Sequence, residues 1–198
     1  MSVGMRVGEV RRETRETLIE VRLDLDGRGT TELSTGIGFL DHLLEAVGRH
    51  GLLDLQVRAS GDLHVDCHHT VEDMGIVLGQ ALSMALGERR GIRRYGEATV
   101  PMDEALVQVV LDLSGRPYFA HDLRLSSERV GTFEVETAVE LLRALATTGG
   151  FNLHVRQLAG ENTHHVLEAT FKALARALDA ATRLDGRQEG VPSTKGLL

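Results

Sequence analysis

The stretch HHTVE at residues 68–72 returns 96 residues later as HHVLE at residues 164–168. Each copy opens a segment with the apolar spacing of a long, mostly buried helix, at residues 68–87 and 163–181. Two helices that begin with the same residue types at the same spacing indicate a duplicated sequence. Each half of the chain should therefore repeat the same order of elements.

The segments before the two copies do follow a common order. In the first half, residue patterns predict a strand at 17–27, a return strand near 30–34, a helix at 39–51 and a strand with a turn at 52–62. In the second half they predict two strands around a turn at Ser114-Gly115 within 105–123, a helix at 133–150 and a strand with a turn at 151–160.

We therefore expect an α/β (α+β) fold made of two βαβα-type half-domains. They should form a pseudo-symmetric unit with the helices packed on one face of the sheets. The first repeat is expected at 1–95, the second at 96–186 and a tail at 187–198. No Pro/Ser-rich linker separates the halves, so one fused unit is predicted.

The composition argues against several classes of protein. The chain has 29 acidic and 22 basic residues, a formal net charge of −7, which disfavours nucleic-acid binding. No apolar run approaches the roughly 20 residues of a membrane span, and the N-terminus lacks the apolar core of a signal peptide. Cys67 is the one cysteine, so an intrachain disulfide is impossible and a reducing cytoplasm is the expected compartment.

The spacing within HHxxE is suited to metal binding. On a helix, His68 and Glu72 share a face, whereas His69 is turned about 100° away from His68. We therefore expect each copy to serve two different ions, with the two copies cooperating. Imidazole and carboxylate donors without thiolate suit Mn²⁺, Fe²⁺ or Zn²⁺. The alternative is a solvated or capping cluster, which the duplication makes less attractive.

Several stretches resemble the imidazoleglycerol-phosphate dehydratase family, the lyases of histidine biosynthesis. They are GIGFLDHLLEAVGRHG (36–51), GDLHVDCHHTVED (61–73), LGERRGIRRYGEATVPMDEAL (86–106), LDLSGRPY (111–118), LHVRQLAGENTHHVLEATFKALARAL (153–178) and VPSTKG (191–196). The resemblance implies a ribosomal-protein-S5-domain-2-like fold and a hydro-lyase that converts imidazole glycerol phosphate into imidazole acetol phosphate. It also implies a homo-oligomer of 24 subunits, with two Mn²⁺ ions in each active site between subunits.

The resemblance assigns metal ligands from both halves. One ion would be held by His42, His69, His164 and Glu168, and the other by His68, Glu72, His165 and a residue of the third helix. That residue is Glu140, where the family has a histidine. It is either an exchanged carboxylate ligand, a surface glutamate on an amphipathic helix, the result of a shifted alignment or an altered residue.

The resemblance also assigns the phosphate of the substrate to His50, Arg94, Arg116, Lys172, Ser193, Thr194 and Lys195. Arg94 could instead belong to a solvated basic run after a helix, and Arg116 could be an ordinary turn residue. Lys172 lies one helical turn beyond Glu168 on the same face, so the residue pattern itself also favours it. The tail has no helix or strand pattern, and the resemblance makes it a lid or a contact with a partner subunit.

The proton lost in this dehydration is bonded to a carbon that is not next to a carbonyl group, so it is not acidic by itself. An ion on each ring nitrogen would give a bridging imidazolate, which could expel the hydroxyl and form a diazafulvene-like intermediate. The resemblance makes Glu16 the general acid–base, whereas its surroundings alone predict a solvated charge. Asp103 and Glu104 are expected to orient a ligand histidine. A metal-storage protein and a phosphate-ester hydrolase are the rival functions.

Overall fold

The computed structural model describes residues 5–197, in which the duplication is visible element by element. The first repeat comprises β1 (Val7–Glu13), β2 (Thr17–Asp24), β3 (Thr31–Ser34), α1 (Gly38–Gly51), β4 (Asp54–Gly61) and α2 (His68–Leu86). The second comprises β5 (Tyr95–Met102), β6 (Ala105–Asp112), β7 (Tyr118–His121), β8 (Arg129–Val130), β9 (Phe133–Glu134), α3 (Val135–Gly149), β10 (Asn152–Ala159) and α4 (Thr163–Thr182). Residues 1–4 of the expected first repeat and residue 198 of the tail lie outside this description.

The two four-stranded sheets have one topology. Their strand orders are β1-β2-β4-β3 and β5-β6-β10-β7, each with two antiparallel pairs and one parallel pair. The registers also correspond, because Val21 pairs with Val57 in the first sheet and Val109 with Val155 in the second. The short β8–β9 hairpin is an addition to the second repeat. The expected duplicated α/β fold is confirmed.

Helices cover one face of each sheet. Along β2, Ile19, Val21 and Leu23 are buried, while Glu20 and Arg22 on the opposite face are partly exposed. Helix α2 packs on β1 and β2, and α4 packs on β5 and β6. Helices of different repeats also pack against each other, α1 against α4 and α2 against α3. None of the helices in residues 5–197 has the length and apolarity needed to cross a membrane.

Strands β1 and β5 were not anticipated from the sequence, and two glycines explain why. A Cβ atom on Gly8 of β1 would lie 2.0 Å from the Ala81 carbonyl oxygen in α2. A Cβ atom on Gly96 of β5 would lie 1.9 Å from the Ala177 carbonyl oxygen in α4. Each helix backbone rests directly on the strand, so an apolar side chain that would reveal the strand pattern is missing there.

Candidate metal centre and active site

Local hydrogen bonds fix both histidine pairs in the first turn of a helix. At the start of α4, the Asn162 side-chain oxygen accepts hydrogen bonds from the backbone N–H groups of His164 (3.0 Å) and His165 (3.3 Å). At the start of α2, the Asp66 carboxylate accepts one from the backbone N–H of His68 at 2.8 Å. Asn162 thus caps α4, while Asp66 holds the backbone of His68 at the start of α2, where Cys67 is the N-cap residue.

The two rings of each pair diverge, as the helical spacing predicts. The ring planes of His68 and His69 are 80° apart, and those of His164 and His165 are 81° apart. The first histidine of each pair faces the glutamate one turn later. His164 Nε2 lies 3.2 Å from Glu168 Oε2, whereas His68 Nε2 lies 3.8 Å from Glu72 Oε2.

Helix packing adds a third donor to one of these pairs. Because α1 lies against α4, His42 Nε2 also lies 3.2 Å from Glu168 Oε2. Donor atoms of His42, His164 and Glu168 all lie within 4.8 Å of one another. The Phe39 ring flanks this group, 5.0 Å from the His164 ring, and all four residues line a cavity of about 460 Å³. We call His42, His164 and Glu168 the α1–α4 cluster.

The chemistry of the α1–α4 cluster fits a divalent cation. Burial of Glu168 acts to raise its pKa, but hydrogen bonds from Lys172 and His42 outweigh that effect and lower the pKa to about 2. The carboxylate is therefore ionised at neutral pH. Two imidazole nitrogens and one carboxylate oxygen form a mixed N/O donor set of the kind that binds Mn²⁺, Fe²⁺ or Zn²⁺.

The equivalent residues of α2 and α3 are not gathered in the same way. Within residues 5–197, the α1–α4 cluster is the one group of three or more potential metal donors at this spacing. Glu140 is half-buried on α3 and pairs with Arg143 one turn later, with 3.1 Å between Glu140 Oε2 and Arg143 Nε. This ion pair supplies the partner that a charged residue in an apolar stretch requires.

The second histidine of each pair is held by a carboxylate on Nδ1. His165 Nδ1 lies 2.7 Å from Glu104 Oε2, while Asp103 is more distant at 3.7 Å from Nε2. The bond with His165 is the main cause that lowers the pKa of Glu104 to about 2, and in return it raises the pKa of His165. A partner on Nδ1 leaves Nε2 as the nitrogen available to an ion.

The partner of His69 was missed by the sequence reasoning. Asp62 Oδ2 lies 3.0 Å from His69 Nδ1, which lowers the pKa of Asp62 and raises that of His69. Glu16 Oε2 is farther from the same nitrogen, at 3.8 Å. The sequence signal was an acidic residue in the connection from β4 to α2. Asp66 lies in the same connection, so the sequence pattern does not indicate which of Asp62 and Asp66 contacts the His69 ring.

Five of the candidate phosphate residues meet around one cavity. Arg94, Arg116, Ser193, Thr194 and Lys195 line a space of about 780 Å³. Arg94 is only 11% exposed, forms a two-pronged ion pair with Asp112 (2.6 and 3.0 Å) and donates to the Pro192 carbonyl at 2.8 Å. Arg116 is exposed.

The interpretation of the basic run as solvated is wrong at two of its positions. Arg94 is engaged with Asp112, and the buried guanidinium of Arg89 donates to the carbonyl oxygens of Leu113, Gly149 and Gly150. The reason is that the chain after α2 enters β5, which pairs with β6, so that both arginines meet protein groups instead of solvent.

The other two phosphate candidates lie near the α1–α4 cluster. Lys172 Nζ lies 2.6 Å from Glu168 Oε1. Burial lowers the pKa of His50, and the positive charges of Lys172 and Arg176 lower it further. Neither His50 nor Lys172 lines the cavity formed by Arg94 and the tail. Within one chain, the seven candidates therefore form two separate groups.

Known proteins match nearly the whole of this chain. A family model described as imidazoleglycerol-phosphate dehydratase matches residues 35–178. An imidazoleglycerol-phosphate dehydratase from Thermoanaerobacter pseudethanolicus is 58% identical over 194 residues, which cover 98% of this chain and 100% of that protein. The enzyme structures from Staphylococcus aureus and Pyrococcus furiosus both match with a TM-score of 0.82, at 37% and 38% identity. They cover 90% and 96% of this chain, and 99% and 100% of those chains.

Proposed function

The chain belongs to the imidazoleglycerol-phosphate dehydratase family, a metal-dependent group of hydro-lyases in histidine biosynthesis, and on that premise we propose how its residues act. The substrate is imidazole glycerol phosphate and the product is imidazole acetol phosphate. The observation that carries the proposal is the α1–α4 cluster, in which His42 from one repeat meets His164 and Glu168 from the other. A substrate that contains an azole ring suits a site of divalent cations, because ring nitrogens are ligands for such ions.

The α1–α4 cluster holds one Mn²⁺ ion, and His69 of a neighbouring subunit completes its ligand set. His69 is not a member of the cluster in its own chain, and its Nδ1 is occupied by Asp62. A ligand set shared between subunits would make the enzyme a closed homo-oligomer, for which the family resemblance suggests 24 subunits. When bound, the ions supply Lewis acidity to the imidazole ring and make its N–H proton easier to remove.

The second Mn²⁺ ion is held by His68, Glu72 and Glu140, with His165 from a neighbouring subunit. The charge distribution supports Glu140 as a ligand. The two ion sites have the same balance of charged residues when the positions one helical turn beyond the ligands are included. Each has two acidic residues and one basic residue, namely Glu45, Glu168 and Lys172 at the first site, and Glu72, Glu140 and Arg143 at the second. Arg143 thus offsets the carboxylate that replaces a neutral imidazole, and Glu140 can exchange this partner for the ion.

Glu16 is the group that moves protons. Its side chain is 55% exposed and its carboxylate accepts no hydrogen bond within residues 5–197. The turn that carries it is fixed by Thr14, whose hydroxyl accepts hydrogen bonds from the backbone N–H groups of Glu16 (3.1 Å) and Thr17 (2.9 Å). The hydroxyl next to the ring would leave as water with the proton lost from the ring N–H, and a diazafulvene-like form of the substrate would remain. Glu16 then takes the proton from the neighbouring carbon, and the resulting enol tautomerises to the ketone.

The substrate phosphate is bound by the tail and by basic residues of α1 and α4. Lys195 and Arg116 provide charge, while Ser193 and Thr194 provide hydroxyl groups. Arg94 holds the tail in place through Pro192, because its own guanidinium is already paired with Asp112. His50 and Lys172 form the other basic group, and assembly of subunits would bring the two groups to one phosphate.

The activity assay uses purified protein loaded with Mn²⁺ and imidazole glycerol phosphate. We expect imidazole acetol phosphate without release of inorganic phosphate, and complete loss of turnover in His42→Ala. His154→Ala is the matched control, since His154 on β10 contacts Tyr118 on β7 and lies outside the α1–α4 cluster. Release of inorganic phosphate, or full turnover by His42→Ala, would contradict the proposal.

A further inference from the structure

Two hairpin turns in this molecule are equivalent. The β1–β2 turn ends at Glu16, just before β2 begins at Thr17, and the β5–β6 turn ends at Glu104, just before β6 begins at Ala105. The strand registers of the two sheets superpose these positions, since each glutamate lies five residues before the valine that pairs with the next strand, Val21 or Val109. Glu16 and Glu104 therefore occupy the same place in the two repeats.

The two equivalent carboxylates have different surroundings. Glu104 is fully engaged, because Oε2 contacts His165 Nδ1 at 2.7 Å and Oε1 accepts hydrogen bonds from the backbone N–H groups of Asn162 (2.9 Å) and Glu161 (3.3 Å). The Glu16 carboxylate accepts no hydrogen bond within residues 5–197, and lies 3.8 Å from His69 Nδ1. The role of orienting a histidine is kept by Glu104 in the second repeat, whereas in the first repeat another residue has it.

That other residue is Asp62. It follows β4 directly, its backbone N–H donates to the Glu16 carbonyl at 3.1 Å, and its Oδ2 takes the His69 Nδ1 position. Its Oδ1 is buried without a hydrogen-bond partner in the described chain, so His69 is the contact that holds this carboxylate in place. The register of β10 on β6 shifts after Gln157, so that Ala159 pairs with Leu106 as Ser60 pairs with Leu18, and the counterpart of Asp62 in the second repeat is Glu161. Within residues 5–197 the Glu161 side chain forms no hydrogen bond or ion pair with His165, whose carboxylate partners are Glu104 and Asp103.

We propose that Asp62 is a positioning residue that takes over the orientation of His69 and thereby leaves Glu16 available for proton transfer. Glu104, which has no such substitute, remains the residue that orients His165. Duplication has in this way produced one carboxylate that moves protons and one that holds a ligand. The inference rests on the proposed role of Glu16, and it adds a reason why only one of the two equivalent glutamates can have that role.

The test is a double-mutant cycle on the assembled, full-length enzyme, read out by turnover and by calorimetric titration with Mn²⁺. In Asp62→Ala, Glu16 is expected to move onto His69 Nδ1, so Mn²⁺ affinity stays within about threefold of wild type while kcat falls about 10²-fold. Glu16→Gln should keep its affinity and lose kcat. The double variant should lose about 10–100-fold in Mn²⁺ affinity, because His69 then lacks both carboxylates, with kcat no lower than in Glu16→Gln.

Two further variants sharpen this cycle. Asp62→Asn keeps an oxygen that can accept the His69 N–H and should recover at least tenfold of the kcat lost in Asp62→Ala. Glu104→Ala should lose Mn²⁺ affinity as a single variant, since Glu161, the counterpart of Asp62, does not contact His165.

The outcomes separate the inference from the proposed function. Wild-type kcat in Asp62→Ala, with Glu16→Gln inactive, would overturn the inference alone. Loss of Mn²⁺ affinity in Asp62→Ala as large as in the double variant would also overturn it, because Asp62 would then only support the histidine. Wild-type kcat in Glu16→Gln would remove the proposed role of Glu16 and this inference with it.

Discussion

Lys172 and Glu168 form an ion pair one helical turn apart, with 2.6 Å between Lys172 Nζ and Glu168 Oε1. The other carboxylate oxygen faces His42 and His164, so the lysine compensates a buried negative charge from the side opposite the metal donors. The pair therefore links helix stability to metal binding.

Replacing Lys172 by Met should lower the free energy of unfolding of the metal-free protein by about 1–3 kcal/mol, because Glu168 would lose its partner inside the fold. Added Mn²⁺ should restore part of the loss, since the ion supplies positive charge to the same carboxylate. Urea denaturation with a chelator and with Mn²⁺ measures both effects. Lys172→Arg is the control, and equal losses with and without Mn²⁺ would contradict the link.

Replacing Glu140 by Ala should remove about one Mn²⁺ ion per subunit, because a ligand set of four would lose one member. Glu140→His should retain the ion, as imidazole is also a ligand for it. Elemental analysis after desalting gives the metal content. Glu136→Ala changes an exposed glutamate on the same helix and should leave the metal content unchanged. Full metal content in Glu140→Ala would make Glu140 a surface residue paired with Arg143.

Asp54 should contribute stability that depends on pH. Its carboxylate accepts hydrogen bonds from the backbone N–H groups of Arg28 and Thr30, both at 2.8 Å, and these bonds hold its pKa below the usual range. A lowered pKa in the folded state means that this stability is complete above the unfolded-state pKa of about 3.9. It is lost as the pH falls through the folded-state pKa.

Asp54→Asn should therefore lower the free energy of unfolding by about 1 kcal/mol at pH 7, and the difference from wild type should shrink as the pH approaches 3. Urea denaturation at the two pH values tests this. Glu97→Gln, a neutralised exposed carboxylate, is the control. A loss of the same size at both pH values would show that charge on Asp54 does not matter.

Gly8→Ala should lower the free energy of unfolding by about 1–3 kcal/mol, because its Cβ would lie 2.0 Å from the Ala81 carbonyl oxygen. Thermal unfolding measures the change. Gly186→Ala provides the matched control, since a Cβ there meets no atom within 4 Å. Unchanged stability in Gly8→Ala would mean that α2 can move away from β1 without cost.

Elements of this fold were predictable where buried side chains produce a regular apolar pattern in the sequence. Strand β2 and helix α4 were found because their buried positions carry apolar side chains at a regular period. Strands β1 and β5 were missed because Gly8 and Gly96 stand where a helix backbone touches the strand. The period of apolar residues reflects the packing of side chains, so it does not reveal contacts between backbone atoms.

For the site, the sequence predicted the geometry within each helix but not the partners that other parts of the chain provide. The divergence of each histidine pair follows from helical geometry alone. Asp62 was not anticipated, because the sequence near His69 offers Asp66 at least as readily, and only the path of the chain after β4 decides between them. The Glu140–Arg143 pair lies at ordinary helical spacing, but the spacing does not say whether a carboxylate turns to its neighbour or to an ion.

The crossed helix packing has a consequence for the origin of the chain. Since α1 lies on α4 and α2 on α3, a half-length polypeptide would leave both of its helices without their present neighbours. Two copies of that polypeptide, associated as a symmetric dimer, would restore both contacts at once. The architecture is thus that of a homodimer whose gene was joined to its own duplicate, after which the formerly identical positions were able to diverge.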